Sequence, residues 1–204
     1  MIDLGRRDYA ETWELQKQLC AERQADRVED TLLFVEHPPV ITLGRRRSAR
    51  DNVVDAGEVP VFEIERGGDV TYHGPGQLVG YPILKLDGHE RDLHAYLRNL
   101  EEALIGVCAA FGLDGGRNPG WTGVWLGARK VASIGIAVRR WVTLHGFALN
   151  VSTELARFRA INPCGLDAAV MTSLSESAGR AISVEEVKPV AAGELGRVLG
   201  REFR

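Results

Sequence analysis

Cys164 stands in the run Asn162-Pro163-Cys164-Gly165, and a thiol set between proline and glycine is displayed on a loop or sharp turn. A thiol so presented is better placed to react than one packed in a helix, although spacing alone leaves an inert loop cysteine open. Cys20 and Cys108 fall instead on the apolar faces of expected helices, where cysteine behaves as a small hydrophobe. A nucleophilic cysteine acts as its thiolate, and a free thiol with a pKa of about 8.5 is mostly protonated at neutral pH. A nearby cation corrects that. The chain has four lysines, Lys17, Lys85, Lys130 and Lys188, and uses arginine nearly everywhere else. Lys130 heads the run Val131-Ala132-Ser133-Ile134-Gly135-Ile136. An ammonium beside such a strand can stabilise a thiolate, and it loses its proton more readily than a guanidinium does. A strand-end lysine with its head in water is the other reading.

A third feature is glycine-rich: Arg66-Gly67-Gly68-Asp69-Val70-Thr71-Tyr72-His73-Gly74-Pro75-Gly76-Gln77. Its glycines let backbone approach a ligand closely and surround it with N–H groups. The run is neither a Walker loop nor a GxGxxG fingerprint, and a pair of tight turns between strands remains equally open. His73 and His145 also abut glycines, but the five histidines show no metal spacing, so no metal is expected.

Positioning these residues requires a scaffold, and the bulk properties supply one. At 204 residues, 45% hydrophobic and 26% charged, the chain is read as a single domain, 1–204, with an ordinary core. A net charge of −3 argues against general nucleic-acid binding. Arg45-Arg46-Arg47 with Arg50 form a local basic cluster, either a solvated face or a patch that steers an acidic partner. No stretch nears the roughly 18 apolar residues of a membrane span, and no signal segment is visible, so a cytoplasmic protein is expected. An odd number of widely spaced cysteines is no disulfide framework.

The periodicity predicts a helix over 8–27, carrying Trp13, Leu15, Gln16, Leu19 and Cys20, and a clearer one over 92–111. Strands are predicted over 31–35, 40–43, 59–65, 78–86, 124–126, 130–138 and 141–151, with Pro82 arguing for an edge or a bulge. Ser183-Val184-Glu185-Glu186 has the form of a capping box, opening a helix that Pro189 would kink or divide. Strands in hairpin-like pairs outnumber helices. The expected class is therefore α/β, with a mixed sheet and helices packed on it.

Together these segments resemble the lipoyl(octanoyl) transferase family, the octanoyltransferases of lipoate biosynthesis. The matching stretches are Glu36-His37-Pro38-Pro39, Thr42-Leu43-Gly44, the run from Arg66 to Gln77, Tyr81-Pro82 and Gly123-Val124-Trp125. Lys130 to Gly135, His145 to Asn150 and Asn162-Pro163-Cys164-Gly165 complete the order, over roughly residues 30–175. Departures are mild: Val131 where isoleucine is common, and Met171-Thr172-Ser173-Leu174 where valine often leads.

The resemblance implies a catalytic domain like the biotin and lipoate protein ligases, with a Cys164–Lys130 dyad and no cofactor. It implies that Arg66, Gly67, Gly68, Asp69, Val70, Thr71, Tyr72 and His73 line the acyl substrate. Ser133, Ile134, Gly135, Gly146, Phe147 and Ala148 would do the same. The implied donor is octanoyl-acyl-carrier protein. The implied acceptors are lipoyl domains of 2-oxoacid dehydrogenase complexes and the glycine-cleavage H protein, with no nucleic acid or membrane involved. Lys130 is the expected proton acceptor and His73 the lesser candidate. Val131, Ile134 and Leu149 are expected to wall the acyl pocket. Two rivals remain: an ATP-dependent lipoate–protein ligase on the same fold, and a non-enzymatic carrier or interaction module.

Overall fold

The computed structural model describes residues 1–203. In chain order the elements are β1 (Ile2–Arg6), α1 (Tyr9–Gln24), β2 (Thr31–Glu36), β3 (Val40–Leu43), β4 (Val61–Glu63), β5 (Val70–His73) and β6 (Gln77–Ile83). There follow α2 (Leu93–Ala110), β7 (Gly115–Asn118), β8 (Trp121–Leu126), β9 (Arg129–Arg139), β10 (Val142–Asn150), α3 (Leu174–Ala178) and α4 (Val184–Leu199). A seven-stranded sheet runs β1-β2-β6-β10-β9-β8-β7, and a three-stranded sheet runs β4-β3-β5. β1 pairs with β2, and β3 with β4, in parallel; the other ladders are antiparallel.

Every residue of β6 and β10 is buried, as strands covered on both faces must be. Alternation divides their side chains between two cores. Leu78, Phe147 and Leu149 join Leu100, Leu104, Val187 and Leu195 from α2 and α4. Val79, Tyr81 and Ala148 join Leu33, Val35 and Cys20 on the α1 side. Asp8 caps α1 by accepting from Ala10 and Glu11, and the predicted box at Ser183 and Glu186 caps α4.

Two devices bring the small sheet to the large one. The chain passes from β5 to β6 through Gly74-Pro75-Gly76, where Gly76 has φ +78° and a Cβ would lie 2.7 Å from the Ser152 carbonyl oxygen. The Gly76 carbonyl accepts from the Val151 and Ser152 amides, so only glycine fits the approach. Beyond β10, the chain returns beneath the small sheet as short 3-10 turns. Phe158, Ile161 and Met171 pack there on Ile41, Leu43, Val70 and Tyr72. Thr172 N then donates to Lys130 O at 2.9 Å, tying that return to the start of β9.

Three sequence expectations are corrected. β6 is a central strand, not an edge. Pro82 is tolerated because the β10 ladder ends at Gly80, and the Thr143 hydroxyl replaces it by donating to Pro82 O and accepting from Leu84 N. Pro189 does not divide α4; proline and Glu185, whose carbonyl loses its donor, both face solvent. The buried line of α1 is Tyr9, Thr12, Gln16 and Cys20, while Trp13, Leu15 and Leu19 are half-buried. The Gln16 side chain is inside because it accepts from His145 N at 2.9 Å.

Close packing at Gly80 is testable. A Cβ there would lie 2.3 Å from the Phe147 ring, whereas Gly193 in α4 has open space around it. Gly80→Ala should lower stability by about 1–3 kcal/mol. Gly193→Ala should raise it by about 0.5–1 kcal/mol. Urea midpoints of the two variants against the parent chain measure both.

Candidate active site

Cys164 lies in the 3-10 turn Pro163–Gly165 and itself adopts φ 58°, ψ 24°, the left-handed region that non-glycine residues enter at a cost of roughly 1–2 kcal/mol. Gly165 N donates to Asn162 O, and Asn162 N to Asn52 O, so both sides of the thiol are tied down. The thiol is half-buried and unpaired. Cys20 and Cys108 are enclosed in the core, and burial pushes the Cys108 thiol up to about 12.

Cys164 and Pro163 open onto a cavity of about 250 Å³ that Lys130 also lines. Lys130 is 4% exposed, with its amine 5.6 Å from the Trp125 ring centroid. Burial pulls its pKa down, while Cys164 and then Glu101 pull it up, and Arg66 works against them. From there the wall follows the β9–β10 ladder, with Ser133 opposite Ala148, Ile134 opposite Phe147, Gly135 opposite Gly146, and Ile136 opposite His145. Gly67 N donates to Ile136 O at 2.8 Å, which lays the segment Arg66 to His73 against that wall.

Of the catalytic and substrate-lining residues that the family resemblance implies, all but Tyr72 line this cavity. Tyr72 is packed into the core beneath the small sheet, edge-on to Phe158 at 5.5 Å. Ile134 belongs to the wall. Val131 and Leu149 do not; both are fully buried in the helical core. In the basic cluster, Arg46 reaches the cavity and pairs with Asp69, Arg50 pairs with Glu63, and Arg45 and Arg47 face solvent. Among the described residues no cluster of His, Cys, Asp and Glu is arranged to hold a metal.

Arg66 is the other buried cation. Its guanidinium donates to Thr42 O at 2.8 Å, Thr42 Oγ1 at 3.1 Å and Gly67 O at 3.1 Å, and among the described residues it has no carboxylate in ion-pair range. From Arg66 a directional chain begins. Thr42 Oγ1 faces His73 Nε2 at 3.4 Å, and His73 Nδ1 donates to Gln77 Oε1 at 2.8 Å. Gln77 Nε2 donates to Asn150 Oδ1, and Asn150 Nδ2 to Thr172 O, both at 2.9 Å. Thr172 N closes the chain on Lys130 O. His73 is thus engaged at both ring nitrogens, and burial lowers its pKa to about 3.

Comparison with known proteins gives these residues a family. A model of the lipoyl protein ligase A/B catalytic domain matches residues 8–196. An octanoyltransferase from Geobacter metallireducens is 54% identical over 193 residues, 95% of this chain and 90% of that protein. The chain belongs to the octanoyltransferase family. A second octanoyltransferase, from Gloeobacter violaceus, is 52% identical over 201 residues, 98% of this chain and 90% of its own length. The fold is shared more widely. Lipoate-protein ligase A bound with ATP matches with a TM-score of 0.77 at 18% identity, over 100% of this chain and 88% of that one. A biotin protein ligase from Aquifex aeolicus matches with a TM-score of 0.56 at 14% identity, over 98% of this chain and 69% of its own. The mixed α/β ligase-like catalytic fold expected from sequence is therefore present, and membership makes the chain an acyltransferase.

Several site residues of this octanoyltransferase-family chain escaped the sequence reading. Tyr9 and Ile64 line the cavity from α1 and from beyond β4, with no local motif to mark them. Glu101 is 1% exposed in its side chain and touches the backbone beside Lys130. It did leave a signal: Leu97, Glu101, Leu104 and Cys108 follow helical spacing, which puts a carboxylate on an apolar stripe.

The buried histidines make stability pH-dependent. Burial lowers His73 from 6.5 to about 3 and His37 from 6.5 to about 4, so between these values the unfolded chain binds more protons. The stability they contribute is complete above pH 6.5 and lost as pH falls toward the folded values. At pH 5 the loss should reach about 2 kcal/mol for each histidine. Urea unfolding from pH 7.5 to 4.5 should show the decline, and His73→Gln should remove about half of it, leaving the His37 share.

Proposed function

We propose that the protein moves an octanoyl group from an acyl-carrier thioester to the amine of a lysine on a lipoyl-type acceptor domain, through an octanoyl-Cys164 intermediate. One observation carries this reading: Cys164 on its left-handed turn and the buried Lys130 line one cavity together with the apolar side chains of Val79, Ile134, Ile136 and Phe147. An acyl chain leaving Cys164 would run along β9, where six residues span roughly 20 Å.

In the first half-reaction the Cys164 Sγ thiolate attacks the donor carbonyl. The C–S bond to the carrier breaks, and the carrier sulfur leaves, taking up the proton that the Lys130 ammonium gives up. The Lys130 ammonium and the Arg66 guanidinium supply the positive charge beside this developing negative charge. Thioester exchange is nearly isoenergetic, and thioester to amide runs downhill, so the transfer needs no ATP. In the second half-reaction the acceptor amine attacks the octanoyl carbonyl, the bond to Cys164 breaks, and the amine sheds a proton. Lys130 is the group to receive it. Its thiolate partner is consumed by acylation, and burial already favours its neutral form. His73 is a poorer base because it is held by Gln77 and lowered to about 3.

Residues 1–204 act in this reading as one catalytic domain, in the cytoplasm, where three unpaired cysteines stay reduced. The acceptors are lipoyl domains of 2-oxoacid dehydrogenase complexes and the glycine-cleavage H protein. Arg46 and its neighbours at the cavity mouth suit acidic protein partners.

Intact-mass analysis after incubation with octanoyl-acyl-carrier protein tests the mechanism. One hydroxylamine-sensitive octanoyl adduct is expected, absent in Cys164→Ala and formed roughly 10²-fold more slowly in Lys130→Ala. An adduct surviving in Cys164→Ala would sink the thioester route. Adenylate formed from octanoate and ATP would instead favour the ligase chemistry of the fold relatives.

A further inference from the structure

Glu101 lies outside the sequence motifs and the steps above, yet it is a buried carboxylate at the back of the site. It projects from α2, its side chain 1% exposed, among apolar neighbours such as Leu100 and Leu104. Burying a carboxylate in such a place is costly unless its oxygens are bonded. Both are. Oε2 accepts from Arg98 Nη1 at 2.5 Å and Arg117 Nε at 3.1 Å, and Arg117 also pairs with Glu102. Oε1 accepts from Gly123 N at 3.0 Å.

That last bond reaches Lys130. Gly123 has φ +125°, and a Cβ built on it would lie 2.4 Å from Ala132 O, 2.8 Å from Lys130 Cε and 3.4 Å from Lys130 Nζ. The Gly123 backbone is therefore the surface on which the Lys130 amine rests, opposite the Trp125 ring. The register of β8 against β9 is irregular at this point, between Val124 and Trp125. The β ladder alone does not hold Gly123, and the carboxylate supplies the missing anchor.

We propose that Glu101 is the positioning residue of the Lys130 amine, fixing the Gly123 backbone that cradles it and setting a negative charge behind it. The inference rests on the Cys164–Lys130 reading and gives each half-reaction a distinct electrostatic setting. The charged groups acting on Lys130 are Cys164 from the nucleophile turn, Arg66 from the glycine-rich segment and Glu101 from α2. While Cys164 is a free thiolate, two negative groups hold the lysine protonated. Once Cys164 is acylated, Glu101 alone opposes burial and Arg66, and the amine is released to take the acceptor's proton. Glu101 thus sets how far the lysine's affinity for a proton falls between the two steps.

The two half-reactions, followed separately by intact mass across pH with octanoyl-acyl-carrier protein and an apo lipoyl domain, test this. Glu101→Ala should slow acylation at least tenfold with little change in KM for the carrier. Glu101→Gln keeps an acceptor for Gly123 N but removes the charge. It should recover most of the acylation rate and move the rise of the transfer step with pH about one unit lower. A purely structural role would lower the melting temperature and leave the pH profile in place. Wild-type rates and profiles in both variants, or equal losses without a shift, overturn the proposal. If Glu101→Ala fails to fold, Glu101→Gln carries the test alone, and an unshifted pH profile of the transfer step in that variant overturns the role. Absence of any octanoyl-Cys164 in the parent chain would remove the dyad itself, whereas an adduct indifferent to Glu101 removes only this inference.

Discussion

The site depends on one buried hydrogen-bonded chain, which starts at the Arg66 guanidinium and ends at the main chain of Lys130. Each link has a single sensible direction. Gln77 uses its amide hydrogens on Tyr72 O and Asn150, so its oxygen faces His73, and His73 must carry its proton on Nδ1. Leaving one such buried group unpaired costs about 1–3 kcal/mol, so the links hold one another in place. The chain crosses from the small sheet to the large one and to the segment that follows Cys164. It therefore locks together the elements that carry Lys130 and Cys164.

That rigidity permits strain where chemistry needs display. Cys164 and His145 both hold positive φ without being glycine. His145 is kept there by Gln16 on its amide, and Cys164 by proline and glycine beside it and by Asn52 bonded to Asn162. The same over-determination leaves two cations, Lys130 and Arg66, out of water and without a carboxylate in ion-pair range among the described residues. Charges so placed act in a low dielectric at no reorganisation cost, which suits the proposed reaction with its sulfur anion and tetrahedral oxyanion. Lipoate-protein ligase A, which shares this fold, is bound with ATP.

The proposed order of steps also fits the electrostatics. In that proposal a lysine that is an ammonium first and a base later needs a proton affinity that changes on acylation. Loss of the neighbouring thiolate would produce that change without any movement of the backbone. The proposed role of Glu101 is to limit its size, from a helix whose other buried residues pack in the core.

What the sequence by itself determined was local: the longer helices and most strands from periodicity, the cap at Ser183, the turn at Pro163–Gly165, and the reactive types at Cys164 and Lys130. These follow from bonds between near neighbours, and near neighbours are what a sequence displays. It also carried the family's ordered motifs, which marked the cavity wall from Ser133 to Gly135 and from Gly146 to Ala148. Only the tertiary structure decided that Pro82 sits in a central strand, that Leu149 faces the helices and not the cavity, and that Tyr72 turns away. Tertiary packing alone joined residues far apart in the chain: Thr42 to His73, Gln77 to Asn150, Glu101 to Gly123, and Thr172 to Lys130. The reason is physical. Strand order and register are settled by which buried polar groups find partners, and those partners lie on other strands.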